Sequence, residues 1–116
     1  MRRSLCTNRE FAKVYAEGEK RVGRLLVLYL LPADDDAQGV VASRKVGKAV
    51  QRNRAKRLLR EALRADSVEA LIAAHAHTAD RPGLWVVLVA RREILAAGIH
   101  DVCGELDRLL HRPVNL

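Results

Sequence analysis

Hydrophobic and polar positions follow periods along the chain that predict four helices and three strands. Apolar spacing of i, i+3, i+4 marks the helices, and short continuous apolar runs mark the strands. In chain order, the predicted elements are a helix over residues 8–17, strands over 25–31 and 40–43, a helix that starts near residue 48 and extends to 64, a helix over 67–77, a strand over 84–90 and a helix over 95–109. The run at 84–90 is apolar throughout, which is typical of a central strand covered on both faces. This order predicts a small α+β or α/β layered domain. We expect one domain over residues 1–116, with loose ends at 1–6 and 112–116.

The two strands in the first half are predicted to pair as a hairpin. Residues 25–31 stop at Pro32, and Asp34, Asp35 and Asp36 then form a polar turn before the next strand. Three adjacent carboxylates would also suit Mg²⁺ in a nuclease. A solvated turn is the interpretation that this loop composition favours.

Charge is concentrated in residues 44–64, here called the basic segment. It contains nine basic residues and one acid, Glu61, so its net charge is +8 in a chain of +7. At helical spacing, the segment has one apolar side and one cationic side. The apolar side contains Ala55, Leu58, Leu59 and Ala62, and the cationic side, opposite to it, contains Asn53, Lys56, Arg57, Arg60 and Arg64. A solvated helix face normally alternates in sign. The segment therefore predicts a nucleic-acid partner, and its six arginines to three lysines favour phosphate contact.

Aromatic residues are scarce, and two of them share one side of the first helix. Phe11 and Tyr15 are either part of the core or a stacking platform for unpaired bases, and the pattern leaves both interpretations open.

Other chemistry is weakly supported by the sequence. Cys6 and Cys103 lie far apart and are interpreted as reduced thiols of a cytoplasmic protein. His75 and His77 point to opposite sides of a helix, so we expect no metal site there. No signal peptide is visible, and the longest apolar run is too short to span a bilayer. No residue set has the spacing of a catalytic site.

Several functions are compatible with a basic helix of this kind. The alternatives are a ribosomal-type RNA-binding protein, a DNA-binding module and a protein-only nuclease.

The basic segment closely resembles the signature of the bacterial ribonuclease P protein subunit family. That signature has a basic start, Val-Gly-x-Ala-Val, then Arg-Asn-Arg, x, Lys-Arg and a basic amphipathic continuation, which matches residues 43–61. Residues 10–18 are similar to the family's N-terminal helix, 25–31 to its first long strand, and 85–91 to its buried strand ending in Ala-Arg. The resemblance covers about residues 8–111.

The resemblance implies a fold, a partner and a set of roles. The expected fold is an α/β sandwich, ribosomal protein S5 domain 2-like, with the basic helix in a left-handed β-α-β crossover. The expected function is that of the protein subunit of ribonuclease P, which joins a catalytic RNA and promotes removal of the 5′ leader from precursor tRNA. Hydrolysis would use Mg²⁺ held by the RNA, so no catalytic or metal-binding residue is expected in this chain, and neither DNA nor a membrane is an expected partner. The residues expected to bind the catalytic RNA are Arg44, Lys45, Lys48, Arg52, Asn53, Arg54, Lys56, Arg57, Arg60 and Arg64. Those expected to bind the leader are Phe11, Lys13 and Tyr15.

Overall fold

β5 (Gly83–Ala90) is the central strand of a mixed five-stranded sheet, as its continuous apolar sequence predicts. The computed structural model describes residues 2–77 and 81–111. Among these residues the strand order is β1-β4-β5-β3-β2, with β1 at Arg3–Ser4, β2 at Glu19–Val22, β3 at Leu26–Ala33 and β4 at Ala37–Val41. β3 is antiparallel to β2 and β5, whereas β4 is parallel to β1 and β5. The predicted α+β class is confirmed.

Helices pack on both faces of the sheet. Their bounds are α1 Asn8–Glu17, α2 Ala49–Leu63, α3 Asp66–His77 and α4 Ile99–His111, with a 3₁₀ helix at Arg92–Ala96 before α4. α1 begins where predicted, because Thr7 and Glu10 form a reciprocal capping box. The predicted helix over residues 95–109 is in fact divided. Ala97 is extended, and α4 starts after Gly98, whose N–H donates to Asp101.

The predicted hairpin between residues 25–31 and 40–43 is wrong, because β5 lies between β3 and β4. The link at residues 34–36 crosses over the start of β5 instead of turning back. It has to span two interstrand spacings, about 9.6 Å, which three extended residues can reach. Gly83 leaves room for this crossing, since a Cβ at that position would overlap the backbone of Asp35.

The three aspartates of this link are exposed, as their interpretation as a solvated turn predicts, and they also make hydrogen bonds that hold the link in place. The Leu84 N–H donates to Asp36 Oδ1 at 3.0 Å, and Trp85 Nε1 donates to Asp35 Oδ1 at 2.9 Å. Arg81 donates to Asp34 at 2.7 Å. These bonds hold the link against the start of β5.

The hairpin that does form joins β2 to β3, and no pattern in the sequence indicated it. β2 has the sequence Glu-Lys-Arg-Val, without apolar alternation, because it is an edge strand on which charged residues are tolerated. Its Arg21 is buried and donates from Nη1 to the Leu109 carbonyl at 2.6 Å. The expectation of a loose start at residues 1–6 also needs correction, since Arg3–Ser4 pair with β4 and Leu5 is buried. Residues 112–116, expected to be loose, lie outside the described part of the chain.

The core has two parts, one on each face of the sheet. α2, α3 and α4 cover the face formed by alternate residues such as Leu28 and Leu88. α1 covers the other face, where Val14 packs on Leu31 and Val87. The chain passes from β4 through α2 and α3 to its parallel neighbour β5, which is the β-α-β crossover that the resemblance implies. The left hand of that crossover stays a prediction.

A buried carboxylate joins α4 to the turn between β2 and β3. Glu105 is 5% exposed and accepts hydrogen bonds from the backbone N–H groups of Arg24, Leu25 and Leu26 at 2.9, 2.7 and 2.9 Å. Gly23 lies against this carboxylate, and a Cβ there would be 2.6 Å from it. Three consecutive backbone donors at the end of this turn are thus satisfied by one side chain.

Candidate nucleic-acid interface

α2 presents one apolar and one cationic face, as the helical pattern predicts. Ala55, Leu59, Ala62 and Leu63 are buried. Leu58, predicted on this apolar side, packs against the core but is only half-buried. The exposed residues on the opposite side, here called the basic surface, are Asn53, Arg54, Arg57, Arg60 and Arg64.

The remaining predicted RNA-binding residues surround this surface. Lys56 is half-buried at its flank, and Arg44, Lys45 and Lys48 are exposed at its N-terminal end. Arg52 is half-buried on the apolar side of the helix, three and seven residues before the buried Ala55 and Leu59. Arg44, Lys45 and Lys48 are placed by the loop before α2. Val46 is buried, Gly47 has a φ of 151°, and Gln51 Oε1 accepts from the Lys48 N–H at 2.8 Å.

The cations of the basic segment are electrostatically unpaired. Within residues 2–77 and 81–111, every ion pair involves other residues, such as Arg2 with Glu69 and Arg81 with Asp34. In the same part of the chain, the buried Nε of Arg52 has no hydrogen-bond partner. α2 also carries no acidic residue in its first turn, so the positive end of its dipole adds to the side-chain charge. This surface can hold several phosphates.

A second surface lies on the other face of the sheet. All four aromatic residues of the chain, Phe11, Tyr15, Tyr29 and Trp85, are found there, and we call it the aromatic face. The ring centroids of Phe11 and Tyr15 are 6.5 Å apart, and those of Tyr15 and Tyr29 are 5.1 Å apart in an edge-on arrangement. The structure therefore brings together the aromatic residues that the sequence left undecided.

The aromatic residues are neither fully core nor fully exposed. Phe11 is half-buried, and its ring lies over Gly39, where a Cβ would be 2.7 Å away. Tyr15 is 44% exposed, and its partial burial raises the pKa of its hydroxyl. Lys13 reaches over Trp85, with its Nζ 5.8 Å from the ring centroid.

Tyr29 is the member of this face that sequence reasoning missed. The available signal was the alternation along β3, which places Tyr29 on the same side as Val27 and Leu31. The contact with Tyr15 depends on how α1 packs on the sheet, which no local pattern encodes.

A groove at the edge of β4 connects the two surfaces. Its lining includes Phe11 and Gly39 on one side and Arg60 on the other. Arg60 also lines a larger groove along the basic surface, of about 550 Å³, together with Lys56 and Arg64. A strand of nucleic acid could thus contact both surfaces without leaving the protein.

Arg3 fixes the start of the chain beside the aromatic face. Its guanidinium is 2.7 Å from Glu10, 2.5 Å from Asp35 and 5.4 Å from the Trp85 ring centroid. These contacts with Arg3, joined by the N–H groups of Cys6 and Thr7, lower the pKa of Glu10 to about 2. The hydrogen bonds from Arg3 and then from Trp85 also lower the pKa of Asp35.

The carboxylates, histidines and cysteines do not form a metal site in the described ranges, where no group of three or more of them is close enough to hold an ion. Cys6 is exposed and Cys103 half-buried, both as free thiols. None of the helices in residues 2–77 and 81–111 combines the length and the apolar character that a membrane span needs.

Comparison with known proteins gives one consistent result. A family model described as "Ribonuclease P" matches residues 1–114. The ribonuclease P protein component of a Nitratiruptor species is 38% identical over 109 residues, which cover 94% of this chain and 90% of that protein. The corresponding component of Clostridioides difficile is 33% identical over 105 residues, covering 89% and 84%.

Solved structures agree in fold. The RNase P protein from Thermotoga maritima superposes with a TM-score of 0.74 at 26% identity, covering 98% of this chain and all of that one. The RNase P protein from Staphylococcus aureus gives a TM-score of 0.69 at 22% identity, covering 95% and 94%, a likeness of fold alone.

Proposed function

Because this chain belongs to the bacterial ribonuclease P protein family and is thus a protein component of tRNA processing, we propose that it binds the catalytic RNA and the 5′ leader of precursor tRNA. In this role it promotes Mg²⁺-dependent removal of the leader, which leaves the mature 5′ end. The complex works in the cytoplasm. The observation that carries the proposal is the unpaired positive charge of the basic segment.

The catalytic RNA binds to the basic surface and its flanks. Eight of the ten predicted residues are exposed on α2 or in the loop before it, and the other two, Arg52 and Lys56, are half-buried. Arginine binds phosphate in a bidentate manner, and in the described ranges no carboxylate forms an ion pair with these side chains, although Glu61 lines the same groove. Since each phosphate contact releases counterions, binding should weaken steeply as salt rises, with a log–log slope of about −0.7 to −0.9 per phosphate.

The leader binds to the aromatic face. Phe11 and Tyr15 are partly exposed, and Lys13 adds a positive charge beside Trp85. Unpaired bases stack on such rings with about 1–3 kcal/mol per base and little sequence preference. This suits a substrate whose leaders differ in sequence.

The catalytic ions belong to the RNA in this proposal. Within this chain, the adjacent aspartates are a poor ligand set, because each is engaged with a different donor along the link at residues 34–36. The protein's contribution is to place two anionic RNAs together and reduce the repulsion between their phosphates. It should therefore substitute in part for high Mg²⁺.

The test is single-turnover cleavage of a precursor tRNA at low Mg²⁺ by the organism's ribonuclease P RNA, with and without this protein. We expect the protein to accelerate cleavage and to have no activity alone. Arg57→Ala and Arg60→Ala should reduce the acceleration, whereas Arg108→Ala, which removes one exposed arginine from α4, should leave it unchanged.

The opposite outcomes identify the alternatives. Tight binding to another RNA without acceleration would favour a ribosomal-type RNA-binding protein. Stronger binding to duplex DNA than to the RNA would favour a DNA-binding module. Cleavage by the protein alone would place the chemistry in this chain.

A further inference from the structure

Val50 is an apolar side chain held in solvent at the start of the basic surface. It is 81% exposed, whereas the next most exposed large hydrophobic residues in the described ranges, Val22 and Tyr15, are 46% and 44% exposed. It lies in the first turn of α2, which begins at Ala49. Packing within the described part of the chain does not account for this residue.

The neighbours of Val50 on the helix are the RNA-binding candidates. Asn53 and Arg54 follow at i+3 and i+4, and Arg57 follows two turns later on the same side. Valine is a poorer helix former than lysine or glutamine, so a purely solvated position has better choices. The valine stands on the side of α2 that the partner must approach.

We propose that Val50 makes an apolar contact with a ribose or base edge of the catalytic RNA, between phosphates held by Arg54 and Arg57. This inference rests on the proposed function and adds a contact to it that does not depend on charge. The positively charged residues around Val50 favour an anionic partner, and the proposed function identifies that partner as RNA. The wide, shallow minor groove of an RNA helix exposes sugars between its phosphates, where a short branched side chain can reach them.

The contact is distinguished from phosphate binding by its salt dependence. Burying the two methyl groups that separate valine from alanine is worth about a tenfold change in affinity. Because no counterion is released at such a contact, its loss leaves the salt slope unchanged. Loss of a phosphate contact, as in Arg57→Ala, weakens binding and makes the slope shallower.

The experiment measures binding of the full chain to the organism's ribonuclease P RNA over a range of salt. Val50→Ala should bind about tenfold more weakly with the wild-type slope. Val50→Lys should also bind more weakly, although it adds a positive charge. Both variants should melt at or above the wild-type temperature, since alanine and lysine favour the helix.

Two results would overturn the contact. One is affinity of Val50→Ala within twofold of wild type while Arg57→Ala is weakened; the other is tighter binding of Val50→Lys, which would mean that charge alone counts. Failure of the wild-type chain to bind this RNA would instead overturn the proposed function, and this contact with it.

Discussion

Glu105 should be among the most costly polar residues to replace in this protein. Its carboxylate accepts three backbone N–H groups at 2.7–2.9 Å, and the bonds from Leu25 and Leu26 are buried. In Glu105→Ala those two donors lose their partner in a place that water does not fill freely. An orphaned buried donor costs about 1–3 kcal/mol, so we expect a loss of about 3–5 kcal/mol in the free energy of unfolding.

Glu105→Gln separates the charge from the shape. Both buried N–H groups donate to Oε2, so an amide oxygen in that position keeps both bonds. The amide nitrogen then faces the Arg24 N–H, which donates to Oε1 in the wild type, and two donors meet. We expect an intermediate loss of about 1–3 kcal/mol in the free energy of unfolding. One hydrogen bond is lost, and the other two become weaker because their acceptor is no longer charged.

Urea unfolding followed by far-ultraviolet circular dichroism measures both losses. A domain of this size has about 5–15 kcal/mol to lose, so the alanine variant should unfold at a clearly lower urea concentration. Glu93→Ala is the matched control, since Glu93 is exposed and, among the described residues, its ion pair is with Arg91 at 3.4 Å; it should stay within about 0.5 kcal/mol of wild type. If Glu105→Ala unfolded at the same urea concentration as Glu93→Ala, the idea that the carboxylate holds the β2–β3 turn would be wrong.

Three further changes test other parts of the structure. Leu59→Ala should cost about 2–5 kcal/mol in urea unfolding and Leu58→Ala clearly less, because Leu59 is fully buried and Leu58 half-buried; equal losses would contradict this facing of α2. Gly83→Ala should lower the melting temperature, since its Cβ would overlap the link over β5, and an unchanged melting curve would contradict the crossing. Glu10 has a pKa of about 2 in the fold against 4.5 ordinarily, so its pairing with Arg3 stabilises the fold above pH 4.5 and is lost as the pH falls towards 2. The urea midpoints of wild type and Arg3→Ala should therefore converge in acid, and a constant difference from about pH 7 to about pH 2.5 would count against the pairing.

The sequence predicted the elements whose patterns are local. The apolar run at residues 84–90 indicated the central strand, and the two-sided pattern of residues 48–64 indicated α2 and its cationic face. Both patterns arise because burial of one or both faces of an element requires apolar residues at regular positions, whichever element packs against it. The signature in the basic segment predicted the family correctly, because it is long and specific.

Features that depend on pairing over distance were missed. A polar turn between two apolar runs signals a hairpin, but it does not reveal that a strand 50 residues later in the chain enters between them, as Trp85 does beside Asp35. β2 and the placement of Tyr29 were missed for the same reason. The charged edge strand has no apolar period, and the tyrosine meets α1 only in the folded protein.

Gathering every aromatic ring on one side of the sheet also gives the protein a built-in optical probe. Trp85 is the single tryptophan, and Tyr15 and Tyr29 lie on the same face, so ultraviolet emission arises entirely from that side of the molecule. With the absorption of the RNA corrected for, we expect RNA bound to α2 alone to change this emission little and a strand stacked on the rings to quench it. The two binding events can therefore be followed separately in one cuvette, without attaching a dye to either partner.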